Sequence, residues 1–185
     1  MCIRDRDAIV WLAEAGEQKK VVSMVGSLSD FFRISLNQGQ DILDVKEELQ
    51  HVRSYLEIQQ MRYQDILQYE ICVPEELNHC QIPKITLQPL VENAIFHGIE
   101  PKGCAGHIRI HVGYETSDNT EKIRIDVTDD GVGMTADKAA QVLRSNDDSS
   151  ADFFREIGVS NVHKRLQYQF GAEYGITIEL SLIHI

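Results

Sequence analysis

Apolar residues Ile9, Leu12, Val21, Val22, Val25, Leu28, Phe31, Phe32 and Leu36 recur mostly at three- and four-residue spacing, the period that lines side chains along one helical face. The spacing predicts amphipathic helix over residues 7–37, interrupted near Gly16, and hence a helical hairpin or two stacked helices. Leu49, Val52, Leu56, Ile58 and Met61 carry the pattern from Val45 to Tyr63. Asp44 stands where an N-cap belongs, and Glu47 three residues on completes a capping-box arrangement. After Arg62 the period changes, and Leu67, Tyr69, Ile71 and Val73 alternate with polar or smaller residues up to Pro74. That is the pattern of a strand covered on one face, and a domain boundary is expected just before it, dividing 1–63 from 64–185.

Pro83 and Pro89 flank the approach to LVENAIFHG, where Leu90, Ala94 and His97 share a helical face and Gly98 offers a stop. Two alternating strands follow, Ile108/Ile110/Val112/Tyr114 and Ile123/Ile125/Val127, joined by the polar turn Ser117–Thr120. They predict an antiparallel hairpin. Its second strand runs into Asp129-Asp130-Gly131-Val132-Gly133-Met134, then a short helix over Ala136–Leu143 and a polar, turn-rich loop, Ser145–Asp152. Gly158 is expected to open a helix through Val162, Leu166 and Phe170, closed by Gly171, with a last strand around Ile176–Ile178. There is no internal repeat or low-complexity tract.

Composition narrows the picture. The chain has 185 residues, 43% hydrophobic and 25% charged, which suits one globular domain plus a smaller element and excludes a wholly disordered chain. Eighteen Lys and Arg against 29 Asp and Glu leave a net charge of −11, so nonspecific nucleic-acid or anionic-lipid binding is disfavoured. No run approaches the about 18–20 apolar residues that cross a bilayer. The four cysteines, at 2, 72, 80 and 104, show no framework spacing and are expected as reduced thiols. His79-Cys80 with Cys104 and His107 lacks the paired spacing of a zinc site. MCIRDR at Met1–Arg6 and LSLIHI at Leu180–Ile185 fit neither neighbouring pattern and resemble translated sequencing-adapter DNA, which would leave Asp7–Glu179 as the native segment.

Three short motifs carry candidate chemistry. Glu92-Asn93 interrupts an apolar helix with adjacent polar groups, which are costly to bury unpaired. Either the pair faces solvent, or Asn93 offers a neutral oxygen to Mg²⁺ while Glu92 orients a metal-bound water or accepts a proton. His97, one turn on, either caps the helix or faces the same site. Asp129 ends a strand before two turn glycines, as a turn acid or as an acceptor for an exocyclic amine such as that of adenine. Gly158-Val159-Ser160-Asn161 would start a helix whose free N–H groups suit an anion.

Taken in this order, the motifs resemble a known family. LQPLVENAIFHGI at Leu87–Ile99 is similar to the N box, DDGVGM at Asp129–Met134 to the first glycine box, and IGVSNVHKRL at Ile157–Leu166 to the second glycine box. These belong to the ATP-binding fold shared by histidine kinases, gyrase B, the MutL protein and a heat-shock chaperone. EELQHVRSYLEIQQMRY at Glu47–Tyr63, then a strand and PKITLQPLVENAI, resembles bacterial LytS-type sensor histidine kinases in particular.

The resemblance implies an α+β fold. A two-layer α/β sandwich, with a mixed, mostly antiparallel sheet and helices on one face, would form residues 64–185, preceded over 1–63 by a helical dimerisation remnant and linker helix. It implies ATP and Mg²⁺ as ligands, with Asn93 on the metal, Glu92 polarising the phosphoacceptor or a metal water, and His97 at the phosphates. Asp129 would bind the adenine amino group above Gly131 and Gly133. Gly158, Ser160 and Asn161 would close over the phosphates, with residues 135–157 as a lid. The implied activity is phosphoryl transfer to a histidine and relay to a response-regulator receiver domain by a homodimer. Its setting would be the cytoplasmic portion of a bacterial inner-membrane protein, with no nucleic acid and no membrane contact by this segment. The alternatives are a serine kinase or ATPase of the same fold, or a non-catalytic nucleotide-binding dimerisation module.

Three departures stand out. Glu156 occupies a position where the subgroup has a glycine, which either stiffens the lid or puts negative charge near the triphosphate. The last strand lacks its usual Gly-Thr ending. The phosphoacceptor box, a histidine followed by Phe-Leu-Phe/Tyr-Asn, does not occur, and the first histidine is His51, inside the linker helix. The parent protein is therefore expected to autophosphorylate and this segment alone is not.

Overall fold

The computed structural model describes residues 3–36, 41–63, 66–117, 120–144 and 153–180. Helices α1 (Ile3–Glu14) and α2 (Gln18–Ser35) are separated at Gly16, which takes a left-handed φ of 74°. Both lean on α3 (Val45–Tyr63), where Leu12, Met24 and Ile58 form a small buried cluster. Hydrogen bonds also join α2 to α3: the Ser27 hydroxyl donates to Glu57 Oε2 (2.7 Å), and Ser35 Oγ lies 2.8 Å from His51 Nε2.

The capping box ahead of α3 forms in half. Asp44 donates its N–H to Glu47 Oε2 at 3.2 Å, but the Asp44 carboxylate turns to His79 Nδ1 at 3.1 Å. The first helix amides, of Val45 and Lys46, instead donate to the carbonyls of Cys80 and Asn78. This follows from a short antiparallel pairing that periodicity does not reveal, β1 (Ile42–Asp44) with β3 (Gln81–Pro83).

The main sheet is mixed, ordered β2-β4-β5. β2 (Leu67–Cys72) runs parallel to β4 (Gly106–Ser117), and β4 is antiparallel to β5 (Thr120–Asp129) in the expected hairpin, whose turn residues 118 and 119 lie outside the described residues. One sheet face is buried: Ile108, Ile110 and Val112 are fully enclosed against Leu56, Val91 and Ile95. The other carries ion pairs, Arg109 with Glu70 and Arg124 Nε with Asp126 Oδ1 at 2.7 Å, which add little stability in water. The fold is the expected α+β, with helices over one face of the sheet.

Two expected boundaries move. The helix through LVENAIFHG does not stop at Gly98: α4 (Gln88–Asn93) widens into a π-helical turn, Ala94–Ile99, and continues through α5 (Glu100–Lys102) to Gly103, whose φ of 68° supplies the left-handed cap. After α6 (Ala136–Arg144), helix α7 spans Phe153–Phe170 rather than opening at Gly158. Residues 153–157 carry no breaker, and one interior glycine costs only about 1 kcal/mol relative to alanine. The expected loop 145–152 lies outside the described residues.

Residues 176–178 form no strand. The Ile176 N–H donates to His163 Nδ1 at 2.9 Å instead of to a ladder, although Glu179 approaches Arg124 of β5 at 3.7 Å. β5 therefore has no ladder partner on its outer side among the described residues.

His51 illustrates how tightly α2 and α3 pack. It is fully buried, its ring stacks on Phe31 at 4.6 Å, and its Nδ1 has no hydrogen-bond partner among the described residues. The Ser35 hydroxyl already donates to Phe31 O, so His51 Nε2 carries the proton and donates to Ser35. Burial, helped by the charge of Lys84, lowers its pKa from 6.5 to about 4. A histidine held neutral in the fold protonates more readily when unfolded. Its contribution is thus complete above about pH 6.5 and lost as pH falls toward the folded value. We expect the stability gap between the wild type and His51→Phe, read from urea unfolding, to narrow between pH 7 and pH 4. A gap independent of pH would contradict this.

Candidate functional site

β5 ends at Asp129, and the turn that follows is fastened on both sides. Asp130 donates its N–H to His107 O (3.2 Å), its Oδ1 accepts the His107 N–H (2.7 Å), and Lys102 Nζ lies 3.1 Å from Oδ2. Burial pushes the Asp130 carboxyl up, but the His107 amide and Lys102 outweigh it and hold it below the ordinary aspartate value.

Asp129 behaves in the opposite way. Although the residue keeps an open face, its carboxyl is desolvated and pushed above the ordinary value, and adjacent Asp130 adds to the rise. The Gly131 N–H, donated to Oδ1 at 2.9 Å, and Lys102 counter it only in part. Among the described residues Oδ2 accepts no hydrogen bond.

The turn and the π-helical segment meet backbone to backbone. A Cβ on Gly131 would lie 2.3 Å from Gly98 Cα, and one on Gly98 would lie 2.4 Å from Asp129 Oδ1. The Val132 N–H donates to Gly98 O at 3.1 Å. Gly98 is thus a packing glycine and not a helix stop, which sequence spacing alone does not distinguish. Gly133 differs again: nothing stands within 4 Å of its Cβ direction, but its φ is 70°.

On the helix itself, Glu92, Asn93 and His97 are half-buried, each keeping part of its surface open to solvent. Gln88 Nε2 donates to Glu92 Oε1 at 2.8 Å. The Asn93 side-chain amide makes no hydrogen bond among the described residues. Its carbonyl is therefore available as a single neutral oxygen ligand, which suits Mg²⁺ carried by phosphates and water. Among the described residues no group of three or more His, Cys, Asp or Glu is placed to hold a metal ion.

The third motif reaches the same helix at its other end. A Cβ on Gly158 would lie 3.2 Å from Pro89 Cβ, so α7 crosses close to the start of α4. Val159, Ser160 and Val162 are buried and Asn161 is exposed. With α7 beginning at Phe153, the amides of Gly158–Asn161 are interior to the helix, and the anion site expected at a helix start there is not formed. The structure thus joins Asp129 and Gly131 closely to Gly98, on the helix that carries Asn93 and His97, and brings Gly158 to the opposite end of the same helix.

Comparison with known proteins shows the family. The family described as "Histidine kinase-, DNA gyrase B-, and HSP90-like ATPase" matches residues 83–182, and the family "Histidine kinase" matches residues 7–67. The chain belongs to the histidine kinase-, DNA gyrase B- and HSP90-like ATPase family, and ATP binding goes with that domain. It is 37% identical over 174 residues to sensor histidine kinase YesM of Bacillus subtilis, covering 93% of this chain and 27% of that protein. It is 31% identical to sensor histidine kinase BtsS of Escherichia coli, over 88% of this chain and 26% of the relative. Sensor protein kinase HptS of Staphylococcus aureus is 29% identical over 83% of this chain and 28% of its own length. The chain spans about a quarter of the length of these relatives. No helix among the described residues is long and apolar enough to cross a membrane.

The glycines should rank by what a methyl group meets. Gly131→Ala, which collides with the Gly98 backbone, is expected to cost about 2–3 kcal/mol by overpacking. Gly133→Ala, strained only by its φ, should cost about 1–2 kcal/mol. Urea midpoints of both variants check the order, and the reverse ranking would disprove the close contact.

Proposed function

We propose that this chain is the ATP-binding and catalytic part of a bacterial two-component sensor histidine kinase, binding Mg-ATP and passing the γ-phosphoryl group to a histidine for relay to a response-regulator aspartate. The observation that supports this reading is the Gly98–Gly131 backbone contact, which sets the turn after Asp129 against the helix that carries Asn93 and His97. Asp129 Oδ2 would accept a hydrogen bond from the adenine amino group, and Gly131 and Gly133 would leave bare backbone beneath the base. Asn93 would hold Mg²⁺ through its carbonyl oxygen, and His97 would contact phosphate. Glu92, oriented by Gln88, would polarise the attacking group or a metal-bound water. When bound, Mg²⁺ neutralises charge on the transferred phosphoryl oxygens, so the protein's work is mainly positioning. Gly158, packed on Pro89, would set α7 against the start of α4, with buried Ser160 supporting it.

His51 is an unsuitable phosphoacceptor, because it is enclosed and stacked on Phe31. The accepting histidine would then be supplied by the parent protein. Residues 1–63 would serve dimerisation and linkage and 64–185 catalysis. Trp11 on α1, Val22 on α2 and Leu36 just after it are large and exposed, and would supply apolar surface for a homodimer. The setting would be the cytoplasmic portion of an inner-membrane protein.

Calorimetric titration with a nonhydrolysable ATP analogue, with and without Mg²⁺, tests the site. Asp129→Asn should weaken binding by about 10- to 100-fold, the worth of a charge-assisted hydrogen bond, whether or not Mg²⁺ is present. Asn93→Ala should abolish the Mg²⁺-dependent gain and leave metal-free binding nearly intact. Because an ionised carboxylate accepts the adenine N–H more strongly than a protonated one, affinity should also fall on acidification from above the ordinary aspartate range. A folded wild-type chain that binds no nucleotide would refute the reading.

A further inference from the structure

Glu48 lies in the first turns of α3 and is fully buried. A carboxylate is costly to enclose unless hydrogen bonds replace its water. Glu48 accepts three from consecutive residues: Ile85 N–H to Oε2 at 3.0 Å, and Thr86 N–H and Leu87 N–H to Oε1 at 2.7 and 2.9 Å.

These amides belong to the bend between β3 and α4, and the bend is strained. Ile85 has a φ of 56°, the one positive value at a non-glycine among the described residues, and β-branched residues disfavour that region strongly. From the opposite side Arg165, on α7, donates to Ile85 O at 3.0 Å and Thr86 Oγ1 at 3.1 Å. The Thr86 hydroxyl in turn donates to Pro83 O. The bend is therefore gripped between an anion from α3 and a cation from α7, and it sets the course of the helix that ends in Glu92 and Asn93.

Stability alone does not call for this arrangement, because an apolar pair can fill such a space at lower desolvation cost. A carboxylate facing three successive amides instead specifies one backbone path. We infer that Glu48 and Arg165 are positioning residues that hold the Ile85 bend, and through it aim α4 so that Asn93 and Glu92 meet the metal and phosphates of the nucleotide. The inference rests on the Mg-ATP reading of the site.

The test uses the full chain, the same ATP analogue and the ratio of affinities with and without Mg²⁺. Glu48→Gln presents an NH₂ group to an amide donor, and Arg165→Lys keeps the charge but loses the fork. Each should reduce the Mg²⁺-dependent gain by about tenfold, the value of one charge-assisted bond. Metal-free affinity should stay within about twofold, since the turn at Asp129 is separately fastened through Asp130 to His107 and Lys102. Adding Ile85→Gly to Glu48→Gln should restore most of the gain, because glycine adopts the positive φ unaided. A merely structural role would not yield that rescue, and circular dichroism confirms folding of each variant. Unchanged Mg²⁺ linkage in folded Glu48→Gln and Arg165→Lys, or no rescue by Ile85→Gly, overturns the positioning role while leaving the ATP site standing. Absence of nucleotide binding by wild type removes the site itself, and the positioning role with it.

Discussion

The absence of a side chain at two facing glycines is the constraint around which the site is built. Gly98 and Gly131 approach so closely that a Cβ on either would overlap its neighbour. The turn after β5 therefore lies directly on the π-helical segment, and the Val132–Gly98 hydrogen bond locks it there. A π turn carries one residue more per hydrogen-bonded loop than an α turn, and it commonly marks functional positions. Here it coincides with the contact: the helix widens at Ala94–Ile99, where the turn must fit.

The same contact explains how an acidic chain can offer a site for an anionic nucleotide. Asp129 and Asp130 are adjacent, yet their surroundings separate their roles. Asp130 is spent on His107 and Lys102, which fasten the turn, whereas Asp129 keeps an oxygen unused by the described residues in a desolvated setting. Such a group suits a neutral donor, such as an exocyclic amine, better than a phosphate. On the helix side Asn93 and His97 bring no negative charge and Glu92 is their acidic neighbour. The net charge of the chain alone therefore does not describe how charge is distributed over this surface.

Periodicity made much of the scaffold legible: the break at Gly16, the span of α3, the β4–β5 hairpin and the alternation of β2 all follow from residue spacing. Glycines were less readable. Gly98 reads as a stop and Gly158 as a start, but one is a contact with Gly131, the other a contact with Pro89, and the left-handed cap is Gly103. A glycine that ends a helix and one that admits a neighbour are identical in a local window, and only the partner, tens of residues away, separates them. The pairing of β1 with β3 is hidden for another reason, because three residues are too few to show alternation. Ile176–Ile178 shows the converse: alternation is present, but His163 takes the amide that a ladder would need.

Glu48 was hidden by its own chemistry. Glutamate in the first turn of a helix usually faces water and favours the helix dipole, so EEL reads as surface when the partners are unknown. Burial pushes its carboxyl above the ordinary value even though three amides and Arg165 pull the other way. Burial likewise lowers the Arg165 pKa, against the pull of Glu48 and Asp41. Desolvation thus works against charge on both partners, and the net stabilisation from the pair is correspondingly small. What such an arrangement does provide is direction. Three consecutive amides can converge on one carboxylate only if the chain bends at Ile85 as it does, so the interaction selects a backbone path more than it lowers the energy of a compact state.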